Sequence, residues 1–200
     1  LSPHYGVSKL RWYLDHVHEV RRAKHAGYLA LGPLSSFILF HLLQGQPLLV
    51  DHVNASRTQL MNLASLDWDQ WLLELFGIER EFLPHCRPIC KNYGFLGTGK
   101  IPVTVVNGDQ NAAIFSLGRP GRNEAMVNIG SGAFILAHTS TKMMRHHALL
   151  TSLANSSEDR SDYIIEGTVN GAGAAIAWAS NQWNLPDMDK HLSTWLDRQG

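Results

Sequence analysis

Between residues 101 and 178, short β-branched runs alternate with glycine-rich joints, and this alternation limits the fold more than any other feature. Ile101-Pro102-Val103-Thr104-Val105-Val106 predicts a strand that ends at Asn107-Gly108. A small-residue helix is predicted over Gln110–Leu117. Ala125–Ile129 and Phe134–His138 predict the two strands of a hairpin, with Gly130-Ser131-Gly132 at its tip. Leu149–Leu153 and Tyr163–Glu166 predict further strands, and Gly171–Trp178 opens a helix of small residues. An α/β fold follows.

The first 80 residues read differently, as mainly helical. Leu10, Tyr13, Leu14 and Val17 recur at helical spacing and predict a helix over Val7–Arg22. A second is predicted over Leu34–Leu43, ending at Gly45. A third is predicted over Asp67–Phe76, with Gly77 where a C-cap glycine belongs. Asp51–Thr58 is polar and reads as a turn. The change of character places a boundary near residues 95–101, at Gly97-Thr98-Gly99. The expected organisation is one unit over 1–97 and a second over 98–200. Leu1-Ser2-Pro3 is neither an initiator start nor a leader, so the chain is expected to begin inside a domain.

Composition removes several function classes. Lys plus Arg and Asp plus Glu balance at 17 each, which gives no pointer to nucleic acid or to an anionic membrane. Hydrophobic residues at 44% support a true core. Charged residues at 17% are few, which suggests surface normally buried against a partner or a further segment. No apolar run reaches the roughly 18 residues of a membrane span. Leu29–Val50 comes nearest and is broken by Gly32, Pro33, Gln44, Gly45 and Pro47. A cytoplasmic location is the default expectation. Cys86 and Cys90 form a lone C-x3-C pair, short of the four ligands of structural zinc, and the 11 histidines are scattered, so no protein-held metal site is expected.

Three segments could carry chemistry. In Asn107-Gly108-Asp109-Gln110-Asn111 an acid directly follows a strand, at the sheet edge where open α/β folds bind ligands. A carboxylate there can take a proton from an attacking hydroxyl; Asp109 would also make an ordinary helix cap. In Asn128-Ile129-Gly130-Ser131-Gly132 a glycine-flanked hydroxyl sits at a hairpin tip. Its backbone amides could hold phosphate oxygens, or the residues could be a plain turn. In Gly167–Ala175 small residues stand at a strand-to-helix joint. They would admit a nucleotide to the backbone, or simply allow close helix packing.

The order of these segments resembles that of the FGGY carbohydrate kinases, and within that family the glycerol kinase pattern. Lys9-Leu10-Arg11-Trp12 is similar to the family's Lys-Leu-x-Trp helix. Asn54-Ala55-Ser56-Arg57-Thr58, Leu66-Asp67-Trp68-Asp69, Leu73–Ile78 and Leu83-Pro84 also follow its pattern. The resemblance implies a hexokinase–actin type (RNase H-like) two-lobe kinase fold, present here incompletely. Residues 1–97 would then form the C-terminal part of the first, substrate-binding lobe. Residues 98–200 would form the N-terminal part of the second, nucleotide-binding lobe.

The same resemblance implies ATP-dependent phosphotransfer to a sugar or polyol hydroxyl, with ATP and Mg²⁺. Asp109 falls where the family has its catalytic base, and Gln110 where a substrate-binding residue stands. His4 occupies the position of a substrate-binding tyrosine. Gly130, Ser131 and Gly132 match the nucleotide-binding Gly-Thr-Gly, and Gly173 matches a nucleotide-contacting glycine. Ala177 stands where the pattern has a glutamine. A small-molecule substrate is the expected partner, without nucleic acid or membrane, and a homo-oligomer is compatible. The alternative is an inactive portion, or a ligand-binding module on the same fold.

Overall fold

The structure is a computed structural model and describes residues 5–116, 118–121 and 124–184. The first helical stretch is two helices, α1 (Gly6–His16) and α2 (His18–His25), rather than one over Val7–Arg22. Val17 turns extended between them, at φ −98° and ψ 116°. Side chains meet backbone carbonyls at this end of α1. The His16 ring lies 2.9 Å from the Trp12 carbonyl, and Arg21 donates to the Asp15 carbonyl at 2.8 Å. Helix α3 covers Leu34–Leu42, close to expectation, and the chain turns at Gly45.

The segment read as a polar turn is structured and largely buried. It forms β1 (Leu49–Asp51) and α4 (His52–Ser56). Its polar groups satisfy one another, which is why polarity misled. The Asp51 carboxylate accepts from the Asn54 backbone amide at 3.0 Å and from Asn54 Nδ2 at 2.7 Å, capping α4. Two-residue strands β2 (Met61–Asn62) and β3 (Asp67–Trp68) pair with each other, so α5 starts later than expected, at Gln70–Phe76. Asp69 is its N-cap and Gly77, at φ 59°, its left-handed C-cap. Strand β4 (His85–Arg87) runs parallel to β1.

Strands β5 (Cys90–Phe95) and β6 (Pro102–Val105) form an antiparallel pair. A single turn of helix, α6 (Asp109–Ala112), and a 3₁₀ turn (Ala113–Phe115) replace the longer helix predicted over Gln110–Leu117, whose last residue lies outside the described ones. The hairpin strands β7 (Ala125–Ile129) and β8 (Ala133–Ser140) join β9 (Leu150–Ser156) and β10 (Ser161–Val169). Together they make an antiparallel sheet of order β7-β8-β10-β9. Helix α7 (Ala172–Gln182) follows β10 directly.

One core cluster mixes residues from both halves of the chain. Val7, Val50, Val53, Leu60, Trp68, Leu73 and Ile89 pack together with Leu153 and Tyr163. A second cluster, Ile114, Leu136, Ala154 and Ile164, seats α6 and its 3₁₀ extension on the sheet. Among the described residues no helix is long and apolar enough to cross a membrane.

Candidate active site

Asp109 opens α6, with three residues between it and the strand that ends at Val105. Gly108, not Asp109, occupies the cap position, and it lies so close to Val53 that a Cβ there would sit 3.0 Å from the valine Cγ1. Asp109 is therefore the first helical residue rather than the N-cap, and its carboxylate serves a first-turn amide of its own helix. One of its oxygens accepts from the Gln110 amide at 2.8 Å, and the side chain is otherwise exposed. Gln110 is half-buried, and its amide oxygen is buried without a donor among the described residues. An acceptor in that state, beside an exposed carboxylate, suits a ligand that brings hydroxyl donors.

Asn111 is buried and anchors the turn. Its Nδ2 donates to Ser152 Oγ at 2.9 Å and to the Leu153 carbonyl at 2.6 Å. Its Oδ1 accepts from Arg57 Nη2 at 2.8 Å. Arg57 also grips the buried Glu166 carboxylate with both guanidinium nitrogens, at 2.6 and 3.2 Å. Glu166 lies near the end of β10, whose last residue, Val169, pairs with Ala133 at the base of the hairpin tip. Side-chain hydrogen bonds thus link the Asp109 turn to the strand that leads to the tip. Sequence reasoning passed over all three residues as functional candidates. Arg57 lay in a segment matched to the family pattern and Asn111 beside Asp109, but only the fold brings Glu166 to them.

The tip docks on the start of α7. The Gly173 amide donates to the Gly130 carbonyl at 3.0 Å, and the Ala174 amide to the Ser131 carbonyl at 3.1 Å. The approach is close enough that a Cβ on Gly173 would overlap the Gly130 carbonyl oxygen. A Cβ on Gly132 would come within 2.9 Å of the Val169 carbonyl oxygen. The Gly130 amide is spent on Gly132 O at 2.7 Å, while the amides of Ser131 and Gly132 meet no described acceptor. The joint is therefore tightly packed, as close helix packing requires, while two amides at the tip have no hydrogen-bond partner among the described residues. Ala177 is exposed on α7, one turn beyond Gly173. His4 lies outside the described residues.

Residues 1–116 match the FGGY family of carbohydrate kinases, N-terminal domain. The chain belongs to the FGGY family of carbohydrate kinases. Glycerol kinase from Shewanella frigidimarina is 36% identical over 188 residues, which cover 92% of this chain and 38% of the relative. Glycerol kinase from Rippkaea orientalis is 38% identical over 185 residues, 89% of this chain and 37% of the relative. The FGGY chain thus spans less than two fifths of the length of these relatives. The crystal structure of Plasmodium falciparum glycerol kinase with ADP superposes with a TM-score of 0.82 at 26% identity, over 91% of this chain and 38% of that one. Xylulose kinase from Rhodospirillum rubrum, 18% identical with a TM-score of 0.79, shares the fold over 98% of this chain and 40% of its own. The α/β architecture is accordingly part of the hexokinase–actin type kinase fold.

Proposed function

We propose that the protein carrying this chain transfers the γ-phosphoryl group of ATP to a hydroxyl of a sugar or polyol. The observation that carries the reading is the Asp109 turn: an exposed carboxylate with one oxygen on the Gln110 amide, beside a buried amide oxygen without a donor among the described residues, in a chain of a carbohydrate kinase family. Asp109 takes the proton of the attacking hydroxyl. Gln110 orients the substrate by accepting from a second hydroxyl, and His4 belongs to the same substrate surface. The unpartnered amides of Ser131 and Gly132, with Gly130 and Gly173 keeping side chains out of the way, receive phosphate oxygens. Ala177 leaves room beside the nucleotide where a longer side chain would make a contact. Residues 1–97 belong to a substrate-binding lobe and 98–200 to a nucleotide-binding one, in a cytoplasmic enzyme.

Mg²⁺ would neutralise charge on the phosphates. Such an ion binds through one or two carboxylates and the phosphates themselves, so it fits a site that offers Asp109 but, among the described residues, no group of three or more metal-ligating side chains.

Phosphotransfer from ATP to a panel of polyols and ketoses tests the reading, with Asp109→Asn as the control. Turnover should fall by at least roughly a hundredfold in the variant, the usual scale of a lost general base. Equal turnover removes Asp109 from the role. A calorimetric titration with Mg–ATP that gives no heat at millimolar nucleotide favours a chain that does not bind nucleotide alone.

A further inference from the structure

We propose that Arg57 is a positioning residue, which fixes the single helical turn that carries Asp109. What Asp109 does rests on the kinase reading above; what holds it rests on geometry alone.

An isolated four-residue helix has no stability of its own, because a first turn fixes several residues for very few hydrogen bonds. The backbone of α6 makes two such bonds, from the Ala112 amide to the Gly108 carbonyl at 2.9 Å and from the Ala113 amide to the Asp109 carbonyl. Ile114 packs the following turn on the sheet, and the polar part of the hold comes through the Asn111 side chain, two positions from Asp109. Both of its faces are committed. Nδ2 serves Ser152 and Leu153, and Oδ1 meets the guanidinium. A flipped amide would turn an NH₂ group toward Arg57 and an oxygen toward the Leu153 carbonyl, so the guanidinium fixes which way Asn111 faces.

Arg57 is fixed in turn. Its Nη2 is shared between Asn111 and Glu166, and its Nη1 closes the second contact to the Glu166 carboxylate, whose side chain is 3% exposed. Thr168 Oγ1 adds a contact to Glu166 at 3.3 Å. A carboxylate this buried holds its cation firmly, since an unpaired charge there is strongly disfavoured. The shared Nη2 needs a planar fork that binds two acceptors at fixed angles, which a lysine ammonium does not reproduce. Arg57 is the C-cap residue of α4, whereas Asn111 and Glu166 both follow residue 98. The link therefore ties the Asp109 turn to the other half of the chain, on which the substrate surface is proposed to lie.

The test has two readouts. In this chain, hydrogen exchange at the Ala112 and Ala113 amides should speed up roughly tenfold in Arg57→Lys, the scale of one lost charged hydrogen bond. Exchange at the Leu73 amide in α5, which bonds to the Asp69 carbonyl, should not change. Asn111→Ala should give the same local signature and serves if Arg57→Lys does not fold. In the protein that carries this chain, Arg57→Lys should lower kcat by roughly a hundredfold with KM for ATP unchanged, the scale of a misplaced reacting group. It should add little further loss in an Asp109→Asn background. Unchanged exchange at Ala112 and Ala113 overturns the proposal, and so does a full additive loss in the double variant or an intact kcat in an active protein. Faster local exchange in a protein whose unmutated form transfers no phosphate leaves the positioning role standing and removes the kinase reading instead.

Discussion

His52 shows how much a single polar residue can be asked to do inside this fold. It is buried, and its Nδ1 lies 3.0 Å from the Ser156 hydroxyl. That hydroxyl also accepts from the Ile89 amide at 3.0 Å, and its own hydrogen is free to serve Nδ1 in the tautomer that carries its proton on Nε2. Burial, the dominant cause, pushes the His52 pKa down to about 4, against a smaller opposing pull from Asp67. The unfolded chain titrates near 6.5 and so binds more protons than the folded one between those values. The stability that His52 contributes is complete above pH 6.5 and is lost as pH falls through about 4. The size is on the order of 3 kcal/mol. Asp51 next door works the other way in acid, because burial raises its pKa despite the hydrogen bonds from Asn54. Urea midpoints measured between pH 7 and 4 for the wild type and for His52→Asn, which keeps an acceptor near Nδ1, isolate the histidine. The variant should lose less stability across that window than the wild type.

At the scale of elements, helix ends explain both what the sequence made legible and what it did not. The end of α5 was legible because Gly77 adopts φ 59°, a conformation that excludes most side chains. Arg11 of α1 reinforces it by donating to the carbonyls of Phe76 and Gly77 at 3.2 and 3.1 Å. Gly77→Ala should therefore destabilise the chain by about 1–2 kcal/mol, more so because the new Cβ would stand 3.0 Å from Arg11 Nη1. A shift of the denaturant midpoint at constant slope measures it. The hairpin strand Ala125–Ile129 was equally plain, since its boundaries are set by turn chemistry next to it. The break at Val17 was not, because the contacts that accompany it, from His16 and Arg21 to carbonyls, depend on where the side chains point. The segment from Asp51 to Thr58 was misread for a related reason. Polar residues that satisfy one another can be buried, and Asp51 with Asn54 looks on paper like any surface turn. In the candidate site, Asp109 and the Gly-Ser-Gly tip were visible as local patterns. The Arg57–Asn111–Glu166 link joins positions 54 and 109 residues apart and exists only once the chain has folded.

At the scale of the molecule, the two halves share a core. Leu153, fully buried in β9, and Tyr163 in β10 pack into the cluster built by residues 7–89, and the Tyr163 hydroxyl donates to the Leu63 carbonyl at 3.2 Å. Leu153→Ala should cost about 2–5 kcal/mol, as a cavity in a close-packed interior does. Its effect should reach both halves. Hydrogen exchange at the buried amides of Leu60 and Ile164 should accelerate together, whereas protection lost at Ile164 alone would mean that the halves unfold separately. The hairpin tip has a consequence of a different kind. Its carbonyls receive the first amides of α7, with no space for even a methyl group between them. The loop and the first turn of the helix form one jaw, and a displacement of the tip is expected to register in the fluorescence of the exposed indoles of Trp178 and Trp183 further along.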